Sequence, residues 1–241
     1  MTAPARHRVS GPALAILAGA TLLLTAMFLS LGVWQVQRLH WKQDLIARVD
    51  ARLAADPEPV PLPATWDALS ATTDEYRNVT LRGIFDHDAE TLVQAVTERG
   101  GGFWVMTPLD TPDATYLVNR GFVPSDGRDP ATRGAGQIAG PVTVTGLLRM
   151  SQPKGAFLRD NDPANDRWYS RDVAAIMAGH DGPVAPFFVD ADATPNPGGL
   201  PVGGLTVVAF RNSHLTYALT WFALAAGTLG AAFLVWRHGR R

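Results

Sequence analysis

Arg211-Asn212-Ser213-His214-Leu215-Thr216-Tyr217-Ala218-Leu219-Thr220-Trp221-Phe222-Ala223 is the stretch on which the reading of this chain turns. It opens a run of 22 uncharged residues, Leu215 to Trp236. As a helix rising about 1.5 Å per residue, that run crosses a hydrocarbon core of about 30 Å. His214 then stands at one membrane interface. Helical spacing puts His214, Tyr217, Ala218, Trp221, Ala225 and Thr228 on a single face. Two readings of this stripe stand side by side. Tyr and Trp favour the headgroup zone and small residues favour helix packing, which makes His214 an interfacial residue among belt aromatics. Neutral imidazole is also the commonest metal-binding side chain, and an ionisable residue at a membrane is a functional candidate, which makes it a cofactor ligand. Periodicity does not separate the two.

Outward from this stretch, the other long apolar run is Gly11 to Val36, preceded by a basic tail with Arg6 and Arg8. It is longer than the roughly 7 to 15 apolar residues of a signal peptide, and no small-x-small cleavage site follows it, so it is expected to remain as a second span. Arg6 and Arg8 at one end and Arg237, Arg240 and Arg241 at the other argue for cytoplasmic termini. Arg38, Lys42, Arg48 and Arg52 just after the first span pull the other way. Long translocated domains weigh little in that rule, so the section between the spans is expected outside the cytoplasm. The layout is a basic cytoplasmic tail at 1–11, a transmembrane helix at 12–36 and an amphipathic helix at 37–56. A periplasmic, mainly β domain at 57–204 follows, then a lead-in at 205–214, a second transmembrane helix at 215–236 and a basic tail at 237–241.

Charge supports that division. All 22 acidic residues of the 241 lie between Asp44 and Asp192 with 13 of the 21 Lys and Arg, a balance of −9, while the two ends carry the other eight basic residues and no acid. A chain acidic in its middle and basic beside its membrane segments lacks the basic face that nucleic-acid binding needs. Cysteine is absent, which excludes a disulfide framework, a thiolate-held zinc, an iron–sulfur cluster and a covalently attached c-type haem.

Leu31 to Lys42 continues the first helix out of the bilayer. Trp34, Arg38 and Trp41 share a face, as do Leu31, Gln35, Arg38 and Lys42. The tryptophans read as interface anchors, and Arg38 would meet an anionic group at the depth of His214. Trp41, Leu45, Val49 and Leu53 keep an apolar stripe to about Ala55, after which Pro57, Pro59, Pro61 and Pro63 force an extended linker. From Tyr76 the period changes to two. Strands are expected around Val79–Phe85, Thr91–Val96, Phe103–Leu109, Tyr116–Val123, Val142–Met150 and Phe187–Asp190, with Arg99 to Gly102 as a turn and one helix over Ser170–Ala178. The fold class is therefore a membrane protein: two transmembrane helices flanking a mainly antiparallel β meander that curls into a sandwich or small barrel and carries a short helix. Leu205–Phe210 reads as a last strand or a helix lead-in. The two spans are expected to pack through small residues at four-residue spacing, Ala15 and Gly19 against Ala223, Gly227 and Ala231.

The motifs of hydrolysis and nucleotide chemistry are missing: no G-x-S-x-G, no H-E-x-x-H and no P-loop. The expectation is a protein that is not an enzyme. Asp86-His87-Asp88-Ala89-Glu90 has the residue types of a metal cluster but sits between two strands and reads as a solvated turn. Asp160-Asn161-Asp162-Pro163-Ala164 imitates the start of a calcium loop and fails at Ala164, Asn165 and Arg171, where a ligand, the turn glycine and the closing glutamate belong.

Four segments together resemble the surfeit-locus family of cytochrome c oxidase assembly proteins. They are Leu31-Gly32-x-Trp34-Gln35-x-x-Arg38-x-x-Trp41-Lys42, Leu117-Val118-Asn119-Arg120-Gly121-Phe122-Val123-Pro124, Trp168-Tyr169-x-Arg171-Asp172 and Asn212-x-His214-Leu215-x-Tyr217-Ala218-x-Thr220-Trp221-Phe222. The resemblance implies two membrane helices and, in bacteria, an inner-membrane location with a periplasmic domain. It implies a role in maturing the oxidase's largest subunit, with haem a bound transiently and delivered. The family's haem-ligating histidine falls on His214, the metal ligand expected here, and a tryptophan implicated beside it falls on Trp221. Around them Tyr217 would contact the macrocycle, and Arg211 with Arg38 would meet its propionates. The partners so implied are the largest oxidase subunit, the enzyme that makes haem a, and membrane lipid. A scaffold that binds the nascent subunit without carrying haem is the alternative. A permanent electron-transfer subunit is a third reading, for which a second membrane histidine facing His214 is lacking. Arg120 and Gly121 read as structural, with Gly121 allowing a bulge or a close strand approach.

Overall fold

The computed structural model describes residues 11–154 and 159–239. Arg6, Arg8, Arg240 and Arg241, used above for orientation, lie outside the described residues. In chain order the elements are α1 (Gly11–Ala54), β1 (Glu58–Pro59), α2 (Ala71–Asp74), β2 (Asn78–Phe85), β3 (Thr91–Thr97), β4 (Gly100–Asp110), β5 (Thr115–Pro124), β6 (Pro141–Met150), α3 (Val173–Ile176), β7 (Val184–Ala191) and α4 (His214–Gly239). They fall into two compact units, one holding the chain up to Arg48 and from Ala209 onward, the other Val49–Val208.

In the first unit α1 and α4 are each long and apolar enough to cross a membrane. Their large side chains face outward and not into a protein core: Ile16 is 74% exposed, Leu23 73% and Leu219 62%. Apolar surface of that extent calls for lipid as its solvent, so the two helices are membrane anchors. The span expected at 12–36 and the amphipathic segment expected to continue it at 37–56 are one helix, with no Gly or Pro between Val33 and Ala54 to break it. It stops short of Pro57. Residues 205–213 are neither strand nor helix, and α4 begins on His214 itself.

The second unit is a β-barrel. Strand order is β1-β2-β6-β7-β5-β4-β3, and an added β2–β4 pairing joins β2, β6, β7, β5 and β4 into a closed ring. All ring pairings are antiparallel except β5 with β7, so of the expected sandwich or small barrel the barrel is what forms, mainly antiparallel and with one parallel seam. Period two places Val79, Leu81, Phe85, Tyr116, Val118, Leu148, Phe187 and Val189 in one buried cluster. Leu117 and Phe188, the intervening residues, point the other way and meet Trp168, Val173 and Met177 on the outside of the sheet. This cover explains why β5 is buried on both faces.

Local chemistry set several boundaries that hydrophobic pattern missed. Gly100–Gly102 pairs with Ala95–Thr97 as the start of β4, leaving the turn to Glu98 and Arg99. The proline stretch contributes β1, an edge strand parallel to β2. The carbonyl of Pro61 then accepts from Trp66 Nε1 at 2.9 Å and Tyr116 Oη at 3.1 Å. The helix expected over Ser170–Ala178 shrinks to Val173–Ile176, capped by the Asp172 side chain. Gly121 sits at φ 128°, at the irregularity between β4 and β5, where a Cβ would overlap the Val202 carbonyl. The two backbone hydrogen bonds between Phe122 and Val202, 2.8 and 2.9 Å, depend on that gap.

Candidate functional site

The two membrane helices meet along a seam of period 3.5. The line of covered positions on α1 is Thr21, Thr25, Phe28, Gly32, Gln35, Leu39 and Lys42, flanked by Leu31 and Val36, and on α4 it is His214, Ala218, Trp221, Ala225, Thr228 and Ala232, flanked by Phe222. Alternating steps of four and three are the heptad spacing of left-handed helix pairs. Contacts run antiparallel along it. Thr25 and Thr228 hydroxyls are 2.9 Å apart, Phe28 stacks on Trp221 with ring centroids 5.8 Å apart, and Gly32 lies against the Phe222 ring. His214 Nδ1 is 2.8 Å from Gln35 Oε1, and Lys42 Nζ stands 4.7 Å from the centre of the Phe210 ring. The expected small-residue interface is therefore corrected. Ala15, Gly19, Ala223, Gly227 and Ala231 are all exposed, and a Cβ at Gly19 or Gly227 would meet nothing within 4 Å. Four-residue spacing alone drifts off a contact line that alternates fours and threes.

His214, the first residue of α4, is half-buried at the mouth of the seam. Trp221 lies two turns deeper in the same seam, its ring partly covered by Phe28. Tyr217 leaves the common face proposed for it and is 53% exposed, because the heptad line passes through Ala218 instead. Arg211 is exposed in the segment that enters α4. Arg38 is also exposed, its guanidinium 3.8 Å above the Trp41 ring, a cation–π contact that keeps the charge at the protein surface. His214 and Trp221 are thus brought into the seam with Gln35 and Phe28, while Tyr217, Arg211 and Arg38 are exposed outside it.

The SURF1 family profile matches residues 22–226, which takes in the seam from Thr25 to Ala225 and the whole barrel. Surfeit locus protein 1 of Homo sapiens is 42% identical over 225 residues, 86% of this chain and 73% of the human protein. The Mus musculus protein is 41% identical over 226 residues, 86% of this chain and 71% of its own. The chain belongs to the SURF1 family. A SURF1-like protein of Monosiga brevicollis is 36% identical over 236 residues, 91% of this chain and 87% of that protein.

The other candidate clusters of this SURF1 chain are structural. Among the described residues no group of three or more His, Asp or Glu could hold a metal ion. Asp86 caps its own turn by accepting from Asp88 and Ala89. Glu90, read above as solvated, is instead paired bidentately with Arg133, both side chains almost fully buried. Asn161 holds the backbone of Tyr169 and Ser170. Asp190, 2% exposed, accepts from Asn119, Arg149, Arg171 and Thr206. Arg120 is equally buried, bonded to the Gly136 carbonyl and over the Phe85 ring. Burial pulls its guanidinium down to about 10, against the raising effect of Glu90. The bonds of Glu90, Asp190 and Arg120 join residues 16 to 71 positions apart, so no local spacing announces them.

Proposed function

We propose that this SURF1 family member is an assembly factor for cytochrome c oxidase, anchored in a bacterial inner membrane, that carries haem a on His214 and passes it to the oxidase's largest subunit. The observation that carries the reading is a partly buried imidazole at the first residue of a membrane helix, in the seam that also holds the stacked Trp221 and Phe28 rings, with Arg211 three residues before it in the chain. A haem needs an axial nitrogen, an apolar surface for the ring and positive charge where its propionates reach water. The residues present fit those needs. His214 supplies the nitrogen, Trp221 and the exposed Tyr217 supply aromatic surface, and Arg211 and Arg38 supply charge. Each charge-assisted pair would add about 1.5–3 kcal/mol, and a single strong protein ligand keeps the cargo releasable. The enzyme that makes haem a is the donor in this scheme, and lipid covers the outward faces of both helices. The proposed orientation puts both termini in the cytoplasm and the barrel in the periplasm, supported by the −9 balance of Asp44–Asp192 between basic ends.

A scaffold that grips the nascent subunit without carrying haem is favoured by one observation. Trp221 stacks on Phe28 and His214 bonds to Gln35, so the seam satisfies these side chains by itself. The deciding experiment is the pyridine-haemochrome spectrum and haem stoichiometry of detergent-purified protein from cells that make haem a. His214→Gln is the sharpest variant, since a side-chain amide can still donate to Gln35 but cannot serve as the axial nitrogen. Haem content should fall to background in His214→Gln and His214→Ala, drop partly in Trp221→Leu, and drop modestly in Arg38→Ala and Arg211→Ala. Full haem content in His214→Gln would remove His214 from the site.

A further inference from the structure

The contact between Gln35 and His214 joins two residues 179 positions apart with 2.8 Å between Oε1 and Nδ1. Gln35 is 8% exposed and occupies a seam position of α1. A primary amide buried on a membrane helix carries a desolvation cost unless it is bonded, so its presence there calls for a partner. An amide oxygen has no proton to give. The hydrogen bond therefore runs from Nδ1–H of His214 to Oε1 of Gln35, and the ring's one free lone pair is on Nε2.

We propose that Gln35 is a positioning residue for His214. It holds the imidazole in the tautomer whose Nε2 is free to coordinate, and as a neutral acceptor it keeps that nitrogen a ligand of intermediate strength. The second half rests on the haem-carrying reading above; the first does not. Partners on the far ring nitrogen fix the tautomer and orientation of a ligating histidine and raise its basicity. A carboxylate in that place draws on the Nδ1 proton strongly and makes Nε2 a firmer ligand. An apolar side chain leaves the ring free to rotate and to exchange tautomers. A glutamine lies between these, which suits a nitrogen that must take up iron and then release it. Because Gln35 is on α1 and His214 on α4, ligand quality depends on the two helices keeping their register.

Two measurements on the full-length protein test this. Solid-state NMR of histidine-labelled protein in lipid, with the His214 signal identified by its loss in His214→Ala, reads the tautomer without any haem. The wild type should show Nδ1 protonated and Nε2 bare, and Gln35→Leu should show a mixture. A wild-type signal with the proton on Nε2 overturns the proposal. In protein loaded with haem a, the ferrous iron–histidine stretch by resonance Raman should rise in Gln35→Glu and fall in Gln35→Leu. Haem transfer to an apomyoglobin acceptor should slow in the first and quicken in the second, each by about tenfold, the low end of what changing the hydrogen-bond partner of a ligating histidine produces at metal sites. An unchanged stretch and transfer rate across all three proteins overturns the ligand-strength half. Wild-type protein that holds no haem a removes the carrying reading and that half with it, while the NMR result decides the tautomer on its own. Gln35→Met, similar in shape and unable to accept from Nδ1–H, should behave as Gln35→Leu if the hydrogen bond and not the packing is responsible.

Discussion

Gly32→Leu should open the helix seam, and the size of the effect follows from one contact. A Cβ at position 32 would stand 2.5 Å from Phe222 Cε1 and 2.8 Å from Cδ1 and Cζ. Carbon atoms in contact settle at about 3.5–4.0 Å, so the shortfall is about 1 Å or more. Rotation of the Phe222 ring can absorb a methyl group, which makes Gly32→Ala mild. Leucine carries three further carbons into the same place and requires the helices to separate. Gln35 lies one turn along α1, where its 2.8 Å bond to His214 would pass the bonding limit after a displacement of about 1 Å. Overpacking costs about 1–3 kcal/mol and the lost hydrogen bond about 1 more, for a total of about 2–4 kcal/mol. The assay is unfolding of the detergent-solubilised protein, read together with cross-linking of the pair Thr25→Cys and Thr228→Cys. The parent chain has no cysteine, and the two threonine hydroxyls are 2.9 Å apart, so this pair should form a disulfide in the parent and form it poorly in Gly32→Leu. Gly227→Leu should do neither, because nothing lies within 4 Å of a Cβ there. A stable, cross-linkable Gly32→Leu beside a destabilised Gly227→Leu would refute the heptad seam.

In the barrel, Glu90→Gln should cost about 3–5 kcal/mol because it leaves the buried Arg133 guanidinium uncompensated, whereas removing both charges with Glu90→Leu and Arg133→Met should recover most of it in thermal unfolding. Asp74 gives an acid limb. Burial raises its pKa, but bonds from the Thr73 hydroxyl, the Ser70 N–H and Arg77 outweigh this and hold the carboxyl below its ordinary value. Its contribution is then fully present above about pH 3.9 and lost as pH falls through the lower folded value, so Asp74→Asn should flatten the loss of stability at acid pH. For orientation, alkaline phosphatase fused near Pro130 should be active and a fusion after Arg241 inactive, and the reverse pattern would invert the proposed topology.

The barrel was largely legible because its side chains alternate. Val79, Leu81 and Phe85 on β2 are buried and their neighbours are not, so period two located the strand without knowledge of its partners. Pairing was not legible. The parallel contact of β5 with β7 and the β2–β4 closure depend on which strands meet, and β5, covered on both faces, shows no alternation at all. Edge strand β1 was hidden among prolines, which mark extended chain but not whether it pairs. The buried ion pairs were invisible for a different reason. Glu90 stands in a run of acidic residues that looks solvated until Arg133, 43 positions away, is folded onto it.

At the membrane the sequence singled out His214 and Trp221, and the side chains that contact them, Gln35 and Phe28, lie on the other helix. Gln35 was visible as a polar residue on a face with Arg38, but its partner is chosen by helix register, which four-residue spacing placed wrongly. Register here is specified by polarity. Thr25 with Thr228 and Gln35 with His214 are bonded pairs at two levels of an otherwise apolar interface. Sliding one helix by a turn, about 5.4 Å, would break both at once and part these side chains from their partners across the seam. Packing alone would tolerate such a slip more readily, since Ala218, Ala225 and Ala232 recur every heptad on α4. The polar pairs therefore do for register what a buried asparagine does in a coiled coil. One of them also ties Nδ1 of an imidazole to the facing helix, so in the proposed carrier the packing of two anchors would set the geometry of its ligand.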